Sequence, residues 1–394
     1  MTSINFSKVS FRGLLAPFFL FFLALCLSTP AFATYTGFEG YDENVSIDLP
    51  EGFELVDSSD NNIFILQSSI VPVKALIRIY TRERFADTGS ALLNVMNSLK
   101  VDYEQDNFTW RGYDSSLAVF DGNLEGVNSY GFATCTVLPD DDSVIVLITW
   151  CPYEQAPDCT PFMVSFHDSL CIDNGSFYET GLLTRYAFPL SHVKQDVLLE
   201  IDGKAVATEL KDNDVEASEY LIKREYMVLE LYAQSPLWQK AWQRFYRMIY
   251  RDSFDRLKKP AFDICNALAP ECEDATEIAQ KLLTWVQGFK YERKQDSTDF
   301  TSLPAVLLGN GSDCDSRSLL VALLLRSMNE DAIMFVSAVY SHAVAGFVST
   351  HPGFGFTVDG KTYLTGETTV QGLTWGKIAQ EQADQNAWIE VLLP

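Results

Sequence analysis

Short apolar runs separated by polar clusters characterise the first half of the chain. Runs at residues 62–67, 75–80 and 144–149 have the composition of β-strands, and clusters of Gly, Asp and Asn between such runs predict turns. A helix is predicted over residues 89–100, because five apolar residues recur there at helical spacing: Ala91, Leu92, Val95, Met96 and Leu99. Strands mixed with a helix in this way predict an α+β domain.

The pattern becomes mainly helical in the middle of the chain. A hairpin is predicted over residues 197–208, around the turn Asp202-Gly203. Asp214 is a candidate cap for a helix that extends to residue 232, and Pro236 lies near the start of a second helix, where proline is tolerated. That second helix carries one apolar stripe, formed by Trp238, Trp242, Phe245 and Ile249.

The second helix and its exit are basic. Residues 235–260 contain seven Lys and Arg residues against two Asp residues, a local charge of +5. These side chains either pair with acidic residues of the same protein or form a face for an acidic partner or membrane surface. We favour internal pairing, because the aromatic stripe already marks the helix as part of a core.

Two further helices and two strands are predicted in the last third of the chain. Asp274 and Glu277 have the spacing of a capping box, and the residues that follow form one apolar face. Residues 319–325 are apolar on all sides, which predicts a buried helix. Residues 332–340 and 341–348 predict adjacent strands joined by a turn.

Cys314 lies where the buried helix is expected to begin. Gly309 and Gly311 allow a tight entry turn, and Ser312 or Asp313 can cap the helix. A cysteine in a first helical turn is a candidate nucleophile, because the helix N-terminus favours the reactive thiolate, and a nearby imidazolium would lower its pKa further. The same amides can stabilise the oxyanion of a tetrahedral intermediate.

His342 is the histidine best placed to act as the base for Cys314. It follows Cys314 by 28 residues and begins one of the two predicted strands, so a helix leading into those strands can bring the two side chains together. His167 and His192 belong to the N-terminal and middle regions, and His351 lies in a segment whose sequence predicts a turn.

Residues 275–391 resemble the transglutaminase-like superfamily of papain-related cysteine enzymes. The family motif places Gly-x-Cys at a helix start, a His at the start of a strand and an Asp on the next strand. Cys314 and His342 match it, although one extra residue separates Gly311 from the cysteine and Val344 replaces the usual aromatic residue. The segment 363–369 resembles the acidic part of the motif, with Glu367 in place of Asp.

The resemblance implies a catalytic triad of Cys314, His342 and Glu367, in which Glu367 accepts the second ring N–H of the histidine. Asp359 is the rival acidic residue, but it belongs to an Asp-Gly turn. The implied activity is acyl transfer at the amide of a peptide or protein substrate, with hydrolysis by a peptidase or amidase favoured over cross-linking.

Two other functional classes are open. The chain is alternatively a catalytically inactive envelope protein that binds a partner and uses the transglutaminase-like core as a scaffold. A redox-active thiol protein is disfavoured because no Cys-x-x-Cys motif occurs. No cofactor or metal is predicted, since no nucleotide-binding fingerprint, phosphate-binding loop or metal-ligand cluster is present in the sequence.

The N-terminus predicts export. Lys8 and Arg12 precede an apolar run at residues 14–27, and a small-residue site ends at Ala33, as in a cleaved signal peptide. The run is shorter than the roughly 20 residues that span a bilayer, so no integral membrane segment is predicted after cleavage. We expect a periplasmic or extracellular protein of bacterial origin. Bacterial origin also fits an Asn-x-Ser sequon at Asn310, where a glycan would crowd Cys314.

Charge and cysteine content fit this picture. Loss of Lys8 and Arg12 takes the net charge from −24 to −26, which disfavours nucleic acid as a partner.

Seven cysteines remain after residue 33, an odd number, so in an oxidising compartment at least one has no partner within the chain. Four lie in the N-terminal half, Cys265 and Cys272 are close enough to pair, and the seventh is Cys314; reduced structural cysteines are the alternative to disulfides.

These observations predict an α+β protein with four segments. They are a signal peptide (1–33), an α+β sandwich-like domain (34–175), a middle region of short strands and amphipathic helices (176–268), and a transglutaminase-like domain (269–394). Residues 49–53, Leu-Pro-Glu-Gly-Phe, resemble the first strand of small α/β-sandwich accessory domains, and we infer no function from them.

Overall fold

The computed structural model describes residues 36–37, 45–60, 63–139, 143–293, 298–309 and 311–394. Within them the chain is an α+β protein with four antiparallel sheets. It divides into two compact units between Asp173 and Asn174, close to the predicted boundary at residue 175. The predicted signal peptide lies outside the described residues.

The first unit is built around a seven-stranded antiparallel sheet. The described strands of this unit are β1 (Thr36–Gly37), β2 (Ser46–Ile47), β3 (Phe53–Asp60), β4 (Ile63–Ser68), β5 (Lys74–Thr81), β6 (Asp102–Trp110), β7 (Tyr113–Leu124), β8 (Val127–Val137), β9 (Ser143–Pro152) and β10 (Leu170–Cys171). The large sheet has the order β3-β4-β5-β9-β8-β7-β6, and the short strands form a second sheet in the order β1-β2-β10. The strands predicted at 62–67, 75–80 and 144–149 are thereby confirmed as β4, β5 and β9.

Helices pack on both faces of the large sheet. Helix α1 (Thr88–Leu99) confirms the predicted helix; Asp87 caps it, accepting a hydrogen bond from the backbone N–H of Ser90 at 2.6 Å. Its apolar face contacts one face of the sheet, and α2 (Ala156–Asp168) covers β8 and β9 from the other. Because β8 and β9 have helices on both sides, they are almost continuously buried rather than alternating.

The second unit contains a hairpin and a five-stranded antiparallel sheet. The hairpin confirms the predicted one and joins β11 (Lys194–Ile201) to β12 (Lys204–Lys211). The sheet has the order β15-β16-β14-β13-β17. Its strands are β13 (Ala332–Ser337), β14 (His342–Val348), β15 (Gly355–Val358), β16 (Lys361–Gly366) and β17 (Ile389–Val391).

The α-helices of the second unit share one core with this sheet. They are α3 (Leu182–Ala187), α4 (Asp214–Glu230), α5 (Trp238–Leu268), α6 (Ala275–Gln287), α7 (Leu303–Leu307) and α8 (Cys314–Ser327). Apolar residues of the predicted middle region and of the predicted C-terminal domain lie in the same cluster, for example Ile249 of α5 and Leu320 of α8. The two predicted segments therefore pack together as one unit.

Two details of the predicted helices differ from the structure. Asp214 is the first residue of α4 rather than its cap; the cap position is Asn213, and Asp214 accepts from the backbone N–H of Lys211 at 2.8 Å. Helix α5 does not end at Pro260 but continues to Leu268. Proline removes one backbone donor, yet Ala261, beyond it, is buried in the shared core, and this packing maintains the helix.

The basic residues of α5 are largely internal. Arg244 forms an ion pair with the buried Glu225 at 3.2 Å, and Arg256 pairs with Asp252 at 2.8 Å and with Asp214 at 3.1 Å. These charges satisfy one another within the core, as the first of the two interpretations of this segment expects. Throughout the described ranges, every helix is too short or too polar to span a membrane.

Helix α8 is the element that supports the candidate site. It lies against β13 and β14, and every residue from 319 to 325 is buried, as predicted from its all-apolar sequence. Helices α5, α6 and α7 also contact it. The N-terminal end of α8 is thus fixed next to the central strand of the sheet, where His342 begins β14.

Candidate active site

Cys314 is the first residue of α8. Asp313 is the helix cap, one of the two predicted candidates, and its Oδ1 accepts from the backbone N–H of Ser316 at 2.9 Å and from its hydroxyl at 2.5 Å. The other candidate, Ser312, accepts instead from Nε of Arg317 at 3.0 Å. The sequence thus places the thiol at a capped helix N-terminus.

His342 lies on the strand beside this helix end. It begins β14 and pairs in register with Ser337 of β13. The backbone N–H of the next residue, Ala343, lies close enough to the sulfur of Cys314 to favour its thiolate form and so acts to lower the thiol pKa. The structure therefore brings the two predicted residues into the same site.

Glu367 contacts His342 directly. It follows the end of β16, and its Oε2 lies 2.7 Å from Nε2 of the imidazole. Its Oε1 accepts from the backbone N–H of Thr369 at 2.7 Å and from the Thr369 hydroxyl at 2.6 Å. The rival residue, Asp359, lies exposed in the turn between β15 and β16.

The surroundings of Glu367 favour its ionised form. Burial acts to raise the pKa of the carboxyl, but hydrogen bonds and charge from His342, together with both donors of Thr369, outweigh burial and lower it. The backbone carbonyl of Glu367 accepts from Nε2 of the buried Gln287 at 2.8 Å, which fixes the segment in place. A carboxylate held this way can stabilise an imidazolium.

The position of the carboxylate decides which ring nitrogen can serve Cys314. Because Nε2 of His342 binds Glu367, Nδ1 is the nitrogen left to exchange a proton with the thiol. Among the described residues, no hydrogen bond joins the His342 ring to Cys314. The indole of Trp388 packs edge-on against the imidazole, with 6.2 Å between the ring centroids.

The thiol of Cys314 instead donates to Asp315. The distance from Sγ to Oδ1 of Asp315 is 3.2 Å. Burial raises the pKa of the thiol well above its ordinary value, and the carboxylates of Asp315 and Asp313 raise it further. This differs from the expectation that the helix N-terminus lowers the pKa, because burial and two neighbouring negative charges outweigh the helix end.

Of the two acidic residues beside Cys314, Asp313 was predicted only as a helix cap, and Asp315 was not predicted as part of the site. The hydroxyl of Tyr246, on α5, donates to Oδ2 of Asp315. Burial and the charge of Asp315 raise the pKa of Asp313 to about 7. The only signal for this arrangement in the sequence is that Cys314 stands between two Asp residues.

Arg317 is another site residue that the sequence did not reveal. It is buried one helical turn after Cys314 and donates to the backbone carbonyl oxygens of Phe289 at 2.7 Å and Thr368 at 3.2 Å. These contacts connect α8 to the segment that carries Glu367. Arg317 therefore holds two parts of the proposed triad in a fixed relation.

A cavity of about 800 Å³ opens beside the histidine and the glutamate. His342, Glu367 and Thr369 line it, together with Lys377, whose ammonium forms no ion pair among the described residues. Its other walls are largely apolar and include Phe354, Val370, Leu373 and Ile378. Cys314 is 2% exposed and does not line this cavity.

The remaining cysteines do not contribute to this site. All seven cysteines of the described residues are free, including Cys265 and Cys272. The thiols of Cys151 and Cys159 lie close enough in the first unit to shift each other's pKa, upwards for Cys151 and downwards for Cys159. No group of three or more His, Cys, Asp or Glu side chains in the described ranges is arranged to hold a metal ion.

Comparison with known proteins adds little. No family model matches the chain, and no curated protein matches it significantly. The structure is similar to cyanobacterial PsbP (CyanoP) from Synechocystis sp. PCC 6803, with 8% identity over 36% of this chain and 95% of that one and a TM-score of 0.30. It is also similar to the Saccharomyces cerevisiae Ran-binding protein Mog1p, with 11% identity over 33% of this chain and 84% of that one and a TM-score of 0.25. Similarities this low carry no argument about function.

Proposed function

We propose that this chain is a transglutaminase-like cysteine enzyme that transfers acyl groups from amides. Cys314 is the nucleophile, His342 the general base and acid, and Glu367 the residue that orients and charges the histidine. The observation that carries the proposal is the 2.7 Å contact between His342 Nε2 and Glu367 Oε2 beside a helix that begins at Cys314. A carboxylate, an imidazole and a thiol in this order are what covalent catalysis by cysteine requires.

The reaction follows from these roles. The Sγ proton of Cys314 passes to Nδ1 of His342, and the thiolate attacks the substrate carbonyl carbon. Backbone N–H groups at the start of α8 can stabilise the resulting oxyanion. The imidazolium then gives its proton to the leaving amine, the C–N bond breaks and a thioester remains on Cys314.

Hydrolysis completes the proposed cycle. His342 removes a proton from water, the hydroxide attacks the thioester, and the acid leaves as the proton returns to the sulfur. The cavity beside His342 can hold the part of the substrate on the amine side of the bond, because His342 must reach the leaving nitrogen. Its apolar walls suit a peptide side chain, and Lys377 suits a carboxylate.

Intact-mass measurement tests this proposal. The protein is incubated with a library of peptide amides, peptide thioesters and small acyl esters, and the wild type is compared with Cys314→Ala. We expect one acyl adduct on the wild type, mapped to Cys314, and none on the variant. His342→Ala should reduce the rate at which the adduct forms by at least about 100-fold. Equal labelling of the wild type and Cys314→Ala would show that Cys314 is not the nucleophile.

One observation favours a second candidate, a non-catalytic binding protein built on the same core. The Cys314 thiol is buried, and its raised pKa keeps it protonated at neutral pH. A scaffold without activity would form no adduct with any acyl donor. The same mass measurement therefore separates the two functions.

A further inference from the structure

The Cys314 thiol donates its hydrogen bond to Asp315 and not to His342. The thiol donates to Oδ1 of Asp315 at 3.2 Å, while His342 is bound to Glu367 and makes no hydrogen bond to the thiol among the described residues. The proposed reaction needs the opposite arrangement, with the Sγ proton directed at the imidazole. The contact with Asp315 is therefore not the arrangement in which the proposed reaction begins.

We propose that Asp315 is an autoinhibitory positioning residue that holds the Cys314 thiol as a protonated donor, away from His342. The nucleophile becomes competent when the Sγ–H turns from Asp315 to Nδ1 of His342, where the proton is transferred and a thiolate–imidazolium pair forms. This inference rests on the proposed function, because it concerns the regulation of the same thiol.

The carboxylate of Asp315 is held firmly in place. Its Oδ2 accepts from the hydroxyl of Tyr246, and Tyr246 is 1% exposed on α5. The Tyr246 ring packs against Phe245, with 5.1 Å between centroids, and against Phe300, with 6.3 Å. Because the packing of α5 fixes the acceptor, the movable part of the contact is the short side chain of Cys314.

Other charged groups near the thiol do not replace Asp315. On α8 itself, Asp313 uses Oδ1 to cap the helix, and its Oδ2 is buried without a partner. The guanidinium of Arg317 is directed to Ser312 and two carbonyl oxygens. Among these groups, the carboxylate of Asp315 is the one that accepts a hydrogen bond from the thiol.

The segment before α8 adds three further groups. Tyr291 faces the thiol, and burial together with the negative charge of a Cys314 thiolate raises its pKa to about 12, so it is neutral at physiological pH. Asp299 is partly exposed and forms an ion pair with Arg293. Asp299 therefore offers a matched control, since it is an acidic residue of the same region that does not contact the thiol.

The test is the pH dependence of Cys314 alkylation by iodoacetamide in the folded protein. Adducts are counted by intact mass and assigned to Cys314 by peptide mapping, for the wild type, Asp315→Asn and Asp299→Asn. Asn keeps an acceptor for the thiol and for Tyr246 but carries no charge. We expect the midpoint of the Asp315→Asn profile to lie at least about one pH unit below that of the wild type, which is about tenfold faster alkylation at pH 8. Asp299→Asn should follow the wild type.

Two results would overturn the inference. One is an Asp315→Asn midpoint equal to that of the wild type; the other is an equal shift in Asp299→Asn, which would show a general charge effect. If Asp315→Asn does not fold, as judged by its thermal melt, the wild type decides alone. A wild-type midpoint at or below the ordinary cysteine pKa, about 8.5, then contradicts the proposal.

The triad is tested separately in the same assay by His342→Ala, introduced into the wild type and into Asp315→Asn. If His342→Ala slows alkylation at neutral pH while Asp315→Asn has no effect, the triad stands and the role of Asp315 falls. If Asp315→Asn shifts the midpoint while His342→Ala changes nothing, Asp315 controls the thiol but the proposed catalytic pair is wrong.

Discussion

Each unit of the molecule places a histidine against its main sheet, but the two rings have different partners. In the first unit His167 is fully buried, with Nδ1 2.9 Å from the hydroxyl of Thr134 and Nε2 3.0 Å from that of Thr149. In the second unit Nε2 of His342 contacts the carboxylate of Glu367. The His167 ring thus hydrogen-bonds to two neutral hydroxyls, and the His342 ring hydrogen-bonds to a carboxylate.

The partner determines what each ring can do. Burial lowers the pKa of His167 to about 3 and outweighs the opposing charge of Asp168, so the ring stays neutral at physiological pH. Glu367 can stabilise a protonated ring at His342, and a base that takes the thiol proton must become such a ring. A histidine is therefore a candidate catalyst when a carboxylate contacts its ring, and burial alone does not make it one.

Removing the charge from Glu367 should have the largest effect. Glu367→Gln keeps a hydrogen-bonding group next to Nε2 but leaves His342 with a neutral partner, as in His167. We expect acylation of Cys314 to slow by about 10³-fold, because the imidazolium loses its counter-ion and the wrong tautomer is favoured. The rate is measured by intact mass with whichever acyl donor labels the wild type.

The matched control is Asp359→Asn, which removes the charge of the rival acidic residue in the turn between β15 and β16. It should leave the acylation rate unchanged. If Asp359→Asn slows acylation strongly and Glu367→Gln slows it little, Glu367 is not the third residue of the triad.

His167 should make the first unit sensitive to acid. Its folded pKa of about 3 lies below the value near 6.5 of an unfolded histidine, so the unfolded state binds the proton more readily. The stability it contributes is present above pH 6.5 and is lost as the pH falls towards 3, by about 2 kcal/mol between pH 7 and pH 5. Hydrogen exchange of the amides in β8 and β9 at the two pH values measures this loss.

His167→Gln provides the comparison, since glutamine does not titrate. Its β8 and β9 amides should lose less protection than those of the wild type over the same pH range, whereas His342→Gln should leave the pH dependence of these amides unchanged. If the wild type and His167→Gln lose equal protection, the acid sensitivity of the first unit has another source.

Local sequence patterns were sufficient to predict the parts of the candidate site that depend on neighbouring residues. The glycines and Asp313 before Cys314 predicted the helix start, and residues 341–348, after the turn at 340–341, predicted a strand at His342. Glu367 was identified from the resemblance of residues 363–369 to the acidic part of the family motif, and the structure places it against His342. Each of these features is encoded within about ten residues.

Contacts between distant residues were not predictable in this way. Asp315 acquires its importance from Tyr246, which lies 69 residues earlier on another helix. Arg317 reaches backbone carbonyls 28 and 51 residues away. Helix α5 continues past Pro260 because a core assembled from several helices supports it; the aromatic stripe places the helix in a core but does not identify the other helices that form it.

The smallest predicted effect concerns the hydroxyl of Thr369. This group donates to Oε1 of Glu367 at 2.6 Å, in addition to the backbone N–H of the same residue at 2.7 Å. Thr369→Val removes the hydroxyl and keeps the backbone donor, so the carboxylate loses one of its three hydrogen bonds while its contact with His342 remains. A cost of about 1 kcal/mol in orienting the carboxylate corresponds to roughly fivefold slower acylation of Cys314.

Thr134→Val is the matched substitution in the first unit, where the hydroxyl contacts His167 directly. It should destabilise the first unit and leave acylation of Cys314 unchanged, because a neutral histidine with one partner fewer has no part in proton transfer. Equal acylation rates in Thr369→Val and the wild type would mean that the backbone N–H of Thr369 and His342 are enough to hold Glu367. In that case the position of the Glu367 carboxylate depends on the backbone N–H of Thr369 more than on its hydroxyl. The functional difference between His342 and His167 would then come from the charge of Glu367 alone.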